Sequence, residues 1–274
     1  MHPANHFYGH AHIMADYAGL GQPFTMLGYL QHGWNLHDGF AVGTHFTPGV
    51  GLFVWTDSVM RRGWALGRRN YHPMGAAWCY LLELEPEPEP RPRHGTIFYP
   101  FHGWEGQEVV GDHARMLTRL REVEAGPLTV CLYWNEFENE AVRRVYEDGG
   151  CRVISHGERG YAYRGTDPQF LRRQLSELRS HQRVVSNRLS SAILYGASVG
   201  CEVGVYGDPM LLSGEHPAYG GIERMRRLWP ELHQERVPQA LAESFATEEL
   251  GSRYLRGPDE LRDLFGWPPR RRHG

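Results

Sequence analysis

The chain contains no lysine: all 29 basic residues among its 274 are arginine. That absence excludes a Schiff-base lysine, the lysine of a phosphate-binding P-loop and a carbamylated lysine bridging two metals. Cysteine is scarce. Cys79, Cys131, Cys151 and Cys201 lie far apart and form no CxxC, which argues against a zinc ribbon or a redox pair. Three of them sit in apolar runs, where a free thiol behaves as a small hydrophobe, so the expected compartment is reducing and the reading is cytoplasmic. Long apolar runs are missing too: none approaches the roughly 18–20 residues that span a bilayer. The start, Met1-His2-Pro3-Ala4-Asn5-His6, has neither the basic nor the apolar stretch of a signal peptide. Charge of one sign is not in excess. A net charge of −3 offers no basic field to nucleic acid, and Arg270-Arg271-Arg272 reads as a solvated terminus.

What is present is enough for a packed core, with 41% hydrophobic and 12% aromatic residues. The sharpest break in composition is Glu85-Pro86-Glu87-Pro88-Glu89-Pro90-Arg91-Pro92-Arg93. Alternating proline removes donors and fixes φ, so the run suits neither helix nor central strand and reads as an extended connector. It predicts a first lobe over 1–84, a linker over 85–94, a larger lobe over 95–222 and a helical C-terminal segment over 223–274. In the first lobe, TMLGYLQ (25–31) and VGLFVW (50–55) read as buried strands, with Thr56 or Asp57 capping a helix that runs to Leu66. In the second, strands are expected at 95–99, 127–134, 151–155, 183–186 and 202–206, and helices at 112–124, 138–148, 168–181 and 190–198. That alternation implies βαβ units. The expected fold class is α/β, two Rossmann-like lobes with mainly parallel sheets, the first of them small.

Ligand chemistry points first to Val184-Val185-Ser186-Asn187-Arg188-Leu189-Ser190-Ser191. Small polar side chains sit where an apolar strand turns into a helix. Free backbone N–H groups and the positive end of the helix dipole suit a phosphate there, and open α/β sheets bind ligands at the carboxyl ends of their strands. N-capping by Ser186 or Asn187 is the competing explanation, but it leaves the second serine without a role. For an anionic leaving group, Arg159 and Arg188 offer bidentate donors, although either equally suits a surface charge. After the strand at 95–99, His102 is placed to bond a phosphate and Trp104 to stack on a base or sugar, with Glu105 beside them. Asp208 offers a carboxylate to a ribose hydroxyl or caps its own turn.

Four segments together carry a resemblance. VVSNRLSSAILYGASVGCEVGVYGDP (184–209) resembles the sugar-nucleotide segment of GT-B glycosyltransferases of the bacterial capsule and teichoic-acid kind, in which a serine pair opens a helix. Gln31-His32-Gly33 resembles a loop of their first lobe. Leu52–Trp55 with Asp57, then Tyr71–Ala76, resembles the end of that lobe, and Thr96–His102 the strand opening the second. The resemblance runs from Gln31 to Asp208. It implies a nucleotide-sugar donor held mainly by the second lobe, a glycan or small-molecule acceptor and a base mainly on the first, and no further cofactor. In sialyl- and Kdo-type members an HP dipeptide and a serine pair contact the nucleotide. His72-Pro73 and Ser190-Ser191 are the matching residues, although His72-Pro73 falls before the linker. Sugar transfer needs a base for the acceptor hydroxyl. His32, flanked by Gly33 after a strand, is the first candidate, and Asp16 is the carboxylate alternative. A sugar-nucleotide epimerase or a non-catalytic binder fits the same fold, and a homo-oligomer is compatible with the composition.

A rival reading starts from His10-Ala11-His12. On a strand these side chains share a face, as an HxH metal site requires, and His102, His156 or Asp208 would complete a hydrolase centre. The short first lobe fits the βα barrel of that class poorly.

Overall fold

A computed structural model of the chain describes residues 3–41, 44–87, 89, 92–103, 107, 109–160, 165–214 and 221–269. The chain forms two compact units. One comprises Met1–Pro88, Glu158–Arg172 and Thr247–Gly274; the other comprises Glu89–Gly157 and Arg173–Ala246. The first crossing thus falls in the proline-rich run, and the segment from 223 onward is shared between the units.

The first unit contains α1 (His10–Tyr17), β1 (Gly28–Leu30), β2 (Gly51–Val54), α2 (Asp57–Ala65), β3 (Tyr71–Pro73), α3 (Ala77–Leu84) and α11 (Pro258–Phe265). Its three strands pair in parallel in the order β1-β2-β3. The fully buried Asn5 extends that pairing: its Oδ1 accepts from Leu30 N at 2.8 Å and its Nδ2 donates to Gly28 O at 2.9 Å, so an amide side chain serves β1 as a strand would. Thr56 caps α2 through Oγ1, which accepts from Val59 N at 3.3 Å, and Asp57 in the first turn complements the dipole. Tyr29, Phe40, Leu52, Val54, Val59 and Tyr71 form a core over this sheet.

The second unit contains β4 (Thr96–Tyr99), β5 (Val109–Val110), α4 (His113–Val123), β6 (Leu128–Cys131), α5 (Trp134–Glu138), α6 (Glu140–Asp148), β7 (Arg152–Ile154), β8 (Arg183–Ser186), α8 (Ser191–Ser198), β9 (Glu202–Val205), β10 (Leu211–Leu212) and α9 (Gly221–Leu228). Helices α7 (Phe170–Ser180) and α10 (Gln239–Leu250) begin in one unit and end in the other. Five strands form an all-parallel sheet in the order β7-β6-β4-β8-β9, while β5 and β10 pair as a short antiparallel ribbon. Asp112 caps α4 through a bond from Arg115 N at 2.9 Å, turning Met116 and Leu120 into the core with Phe98, Val130, Tyr146 and Val185. Each such side chain contributes about 1.5–3 kcal/mol on burial. Helix α8 lies close against β8 because residue 196 is glycine: a Cβ there would stand 2.2 Å from Val184 Cγ1. The fold is α/β with mainly parallel sheets, and all four cysteines are buried and outside any disulfide. Among the described residues no helix is long and apolar enough to cross a membrane.

Candidate functional site

In the second unit the chain moves from β4 outward to β6 and β7, then returns to lay β8 on the other side of β4. The loops after β4 and β8 therefore leave in opposite directions, and the crevice outside their carboxyl ends is the topological switch point where such sheets bind ligands. Residues 100–103 form one bank of it and the 187–191 turn the other.

The turn is built from inside. Ser186 is 2% exposed, and its Oγ accepts from Arg188 N at 3.3 Å. Asn187 uses both ends of its amide: Oδ1 accepts from Phe101 N at 2.6 Å and Nδ2 donates to Asp208 O at 2.7 Å. Arg188, read from the sequence as a phosphate ligand, is 2% exposed. Its Nε donates to Pro209 O at 2.7 Å, its Nη2 to Met210 O, and its guanidinium lies 3.6 Å over the Phe101 ring. It therefore anchors the loop after β9 rather than an anion. Only the serine pair emerges. Ser190 is the N-cap residue of α8 but makes no side-chain capping bond, and both it and Ser191 are half-buried where the residues on either side are buried. The serine pair thus lies at the helix N-terminus, where the positive end of the dipole favours an anion.

On the opposite bank, His102 stacks on Tyr133 with centroids 4.5 Å apart, and its Nδ1 donates to Gly103 O at 2.8 Å. Glu136, on α5, was not anticipated from sequence. Its Oε1 accepts from Gly103 N at 3.3 Å, while its Oε2 is buried without a hydrogen-bond partner. Burial raises its pKa, against the pull of nearby His102. Asp208 caps its own turn, accepting from Met210 N at 2.9 Å. His156 follows β7 and is buried, with Nε2 bonded to Tyr99 Oη at 2.9 Å, and burial pushes its imidazole down to about 3. Trp104 and Glu105 lie outside the described residues.

The remaining candidates belong to the first unit. His32 follows β1 in a loop that is tied down on both sides. Gln31 accepts from Trp55 N through Oε1 at 3.0 Å and donates to Gly33 O through Nε2 at 3.0 Å. Trp34 Nε1 donates to Glu249 at 2.6 Å. Fully buried Asp38 accepts from Tyr71 Oη at 2.7 Å and from Arg68. The half-buried His32 ring meets Phe7 edge-on at 5.0 Å and stacks against Tyr8 at 6.4 Å. Arg159 lies over Phe7 at 4.4 Å, with its carbonyl accepting from Tyr8 N. Asp16 is occupied by Arg172, 2.8 Å away, which also binds Glu85. His72 is exposed on β3, in the first unit as its place before the linker required.

His10 and His12 lie on helix α1, not on a strand. Residues two apart diverge by about 200° on a helix, so the pair does not form an HxH chelate. Among the described residues no group of three or more His, Cys, Asp or Glu side chains is arranged to hold a metal. His10 is 1% exposed, neither ring nitrogen has a well-formed hydrogen bond, and burial pushes its pKa down to about 4. The native state keeps it neutral while the unfolded chain protonates near pH 6.5. Its contribution is therefore complete above that pH and is lost on acidification toward pH 4, at up to about 1.4 kcal/mol per pH unit. Urea unfolding from pH 7 to 4.5 checks this: His10→Leu should flatten the decline, and parallel curves for variant and wild type would assign the decline elsewhere.

No protein-family model matches the chain, and no curated protein sequence does. Among solved structures it is similar to a protein assigned as a UDP-N-acetylglucosamine 2-epimerase from Listeria monocytogenes, with 17% identity and a TM-score of 0.44 over 91% of this chain and 62% of that one. It is also similar to the UDP-GlcNAc 2-epimerase of Neisseria meningitidis bound to UDP-GlcNAc, with 12% identity and a TM-score of 0.38 over 78% of this chain and 58% of that one. The wall teichoic acid polymerase TagF gives 12% identity and a TM-score of 0.40 over 87% of this chain and 63% of that one. The chain spans less than two thirds of the length of each.

Proposed function

We propose that this chain acts on a nucleotide-activated sugar, transferring the sugar to a glycan or small-molecule acceptor. The observation that carries the reading is the serine pair at the N-terminus of α8, at the switch point of a parallel sheet, where the N-cap residue Ser190 makes no side-chain capping bond. This is where a diphosphate finds N–H donors, hydroxyls and the positive end of a helix dipole. The sequence resemblance to GT-B enzymes of capsule and teichoic-acid synthesis supports the same placement. In this reading His32 deprotonates the acceptor hydroxyl, and its tied-down loop fixes the imidazole before substrate arrives.

Thermal-shift and titration measurements with CMP, CDP, UDP, GDP and dTDP test the nucleotide half. One nucleotide should raise the melting temperature, and Ser190→Ala/Ser191→Ala should weaken it at least about tenfold, since hydrogen bonds to charged groups contribute roughly 1.5–3 kcal/mol each. An unchanged affinity in that double variant overturns the phosphate assignment. Glu136 favours a second reading, a sugar-nucleotide epimerase, because a buried carboxyl with a raised pKa beside His102 is suited to proton transfer. Incubation with the nucleotide sugar alone separates the two: an epimerase yields the epimer without an acceptor, and a transferase does not.

A further inference from the structure

The second unit holds an open pocket of about 670 Å3 at the carboxyl end of β9, with Asn187, Tyr206, Gly207, Arg226, His233 and Arg236 among its walls. That volume suits a small ligand. The polar groups of the walls divide into committed and under-used ones. Asn187 spends its amide on Phe101 and Asp208, Tyr206 Oη donates to Glu124 at 2.7 Å, and the carboxylate of Glu235, also in the wall, binds Arg119. The two wall arginines do much less. Arg226, on α9, has Glu223 as its carboxylate neighbour at 3.6 Å, beyond hydrogen-bond length. Arg236 Nη1 donates to Glu202 at 3.2 Å. Both pairs are largely exposed to solvent, where such contacts add little, and each guanidinium carries five N–H donors. His233 adds an acceptor. Its Nδ1 donates to Trp229 O at 2.8 Å, so that Nε2, buried and without a hydrogen-bond partner, is the nitrogen left to face a ligand hydroxyl.

We propose that this pocket is a second oxyanion site, distinct from the α8 N-terminus, which holds the phosphate of a hydroxyl-bearing phosphate ester on Arg226 and Arg236 while His233 accepts one of its hydroxyls. The ester is either the nucleotide's own phosphate or that of a separate phosphorylated substrate; the chemistry of recognition is the same.

Titration calorimetry on the full chain with glycerol phosphate and with inorganic phosphate tests the site. Arg226→Met/Arg236→Met should weaken both probes at least about tenfold; Ser190→Ala/Ser191→Ala should leave them within about twofold. His233→Phe should weaken glycerol phosphate and spare inorganic phosphate. Both arginines are exposed, so an unchanged melting temperature identifies the variants as folded. Added CDP distinguishes the sources: competition with glycerol phosphate assigns the oxyanion to the nucleotide, and simultaneous binding assigns it to a second ester. The proposal falls if the arginine variant binds as wild type does, if the serine variant loses the probes instead, or if wild type binds neither at millimolar concentration. Equal loss of the two probes in His233→Phe removes the hydroxyl contact. None of these outcomes depends on the α8 assignment, which fails separately if no nucleotide binds.

Discussion

Replacing Arg183 with Met lowers the free energy of unfolding by about 3–5 kcal/mol, the range for breaking a buried ion pair from one side. The side chains of Arg183 and Glu124 are 4% and 2% exposed and meet through Nε at 2.9 Å from Oε2. Glu124 also accepts from Thr96 Oγ1 at 2.9 Å and from Tyr206 Oη at 2.7 Å, while Arg183 donates onward to the carbonyls of Val203 and Glu235. Methionine fills much of the volume but leaves a carboxylate in the interior with two hydroxyl donors and no cation. Glu124→Gln should also destabilise, because the Thr96 and Tyr206 hydroxyls donate to different carboxylate oxygens, of which the amide keeps one, and buried Arg183 loses its counter-charge. Removing both charges with Glu124→Leu/Arg183→Met should recover only part of the loss, since the Thr96 and Tyr206 hydroxyls then lose their acceptor. Urea denaturation of the three variants decides the matter. A loss below about 1 kcal/mol in Arg183→Met would mean that water reaches the pair.

The second large effect is kinetic. With the donor identified by the nucleotide screen, His32→Ala should lower kcat by about 10²–10⁴-fold, the usual contribution of a positioned general base, with KM moved only a few-fold. His32→Asn should do the same, because its amide keeps hydrogen bonding but takes up no proton. A role in packing against Phe7 and Tyr8 predicts a different pattern: a lower melting temperature, altered KM and nearly full kcat. That pattern would remove His32 as the base and turn attention to the Glu136 and His102 bank of the second unit.

Where the sequence was legible, each signal had a local cause. Thr56 and Asp112 sit immediately before apolar-periodic runs and cap the helices expected there. The alternation of apolar runs with polar helices predicted β4, β6, β7, β8 and β9 and the parallel sheet they form. Helix α1 was missed because its cap carries no side-chain signal: Gly9 takes the left-handed conformation at φ 77°, and eight residues rich in histidine show no clear helical stripe. The return of residues 158–172 and 247–274 to the first unit was hidden for another reason. It rests on contacts remote in sequence, such as Trp34 with Glu249, which leave no local pattern. Arginine posed a further difficulty. In a chain whose every cation is arginine, nothing local separates buried Arg183, Arg188 and Arg262 from solvated ones; only the carbonyls and carboxylates they meet in the fold do so. Glu136 was silent for the same reason, since its environment is assembled by the end of β4.

Asn187 joins the backbone after β4 to the backbone after β9, so a single amide cross-links the loops on either side of the α8 turn. The backbone at Phe101 and Asp208 is therefore ordered during folding, when core burial offsets the entropy, and not at the moment of binding. In the proposed reading, a ligand at this edge would meet backbone already held in place at these two points. Its affinity then reflects the contacts it makes almost undiminished by ordering, and its association should look like docking onto a finished surface rather than folding around a guest.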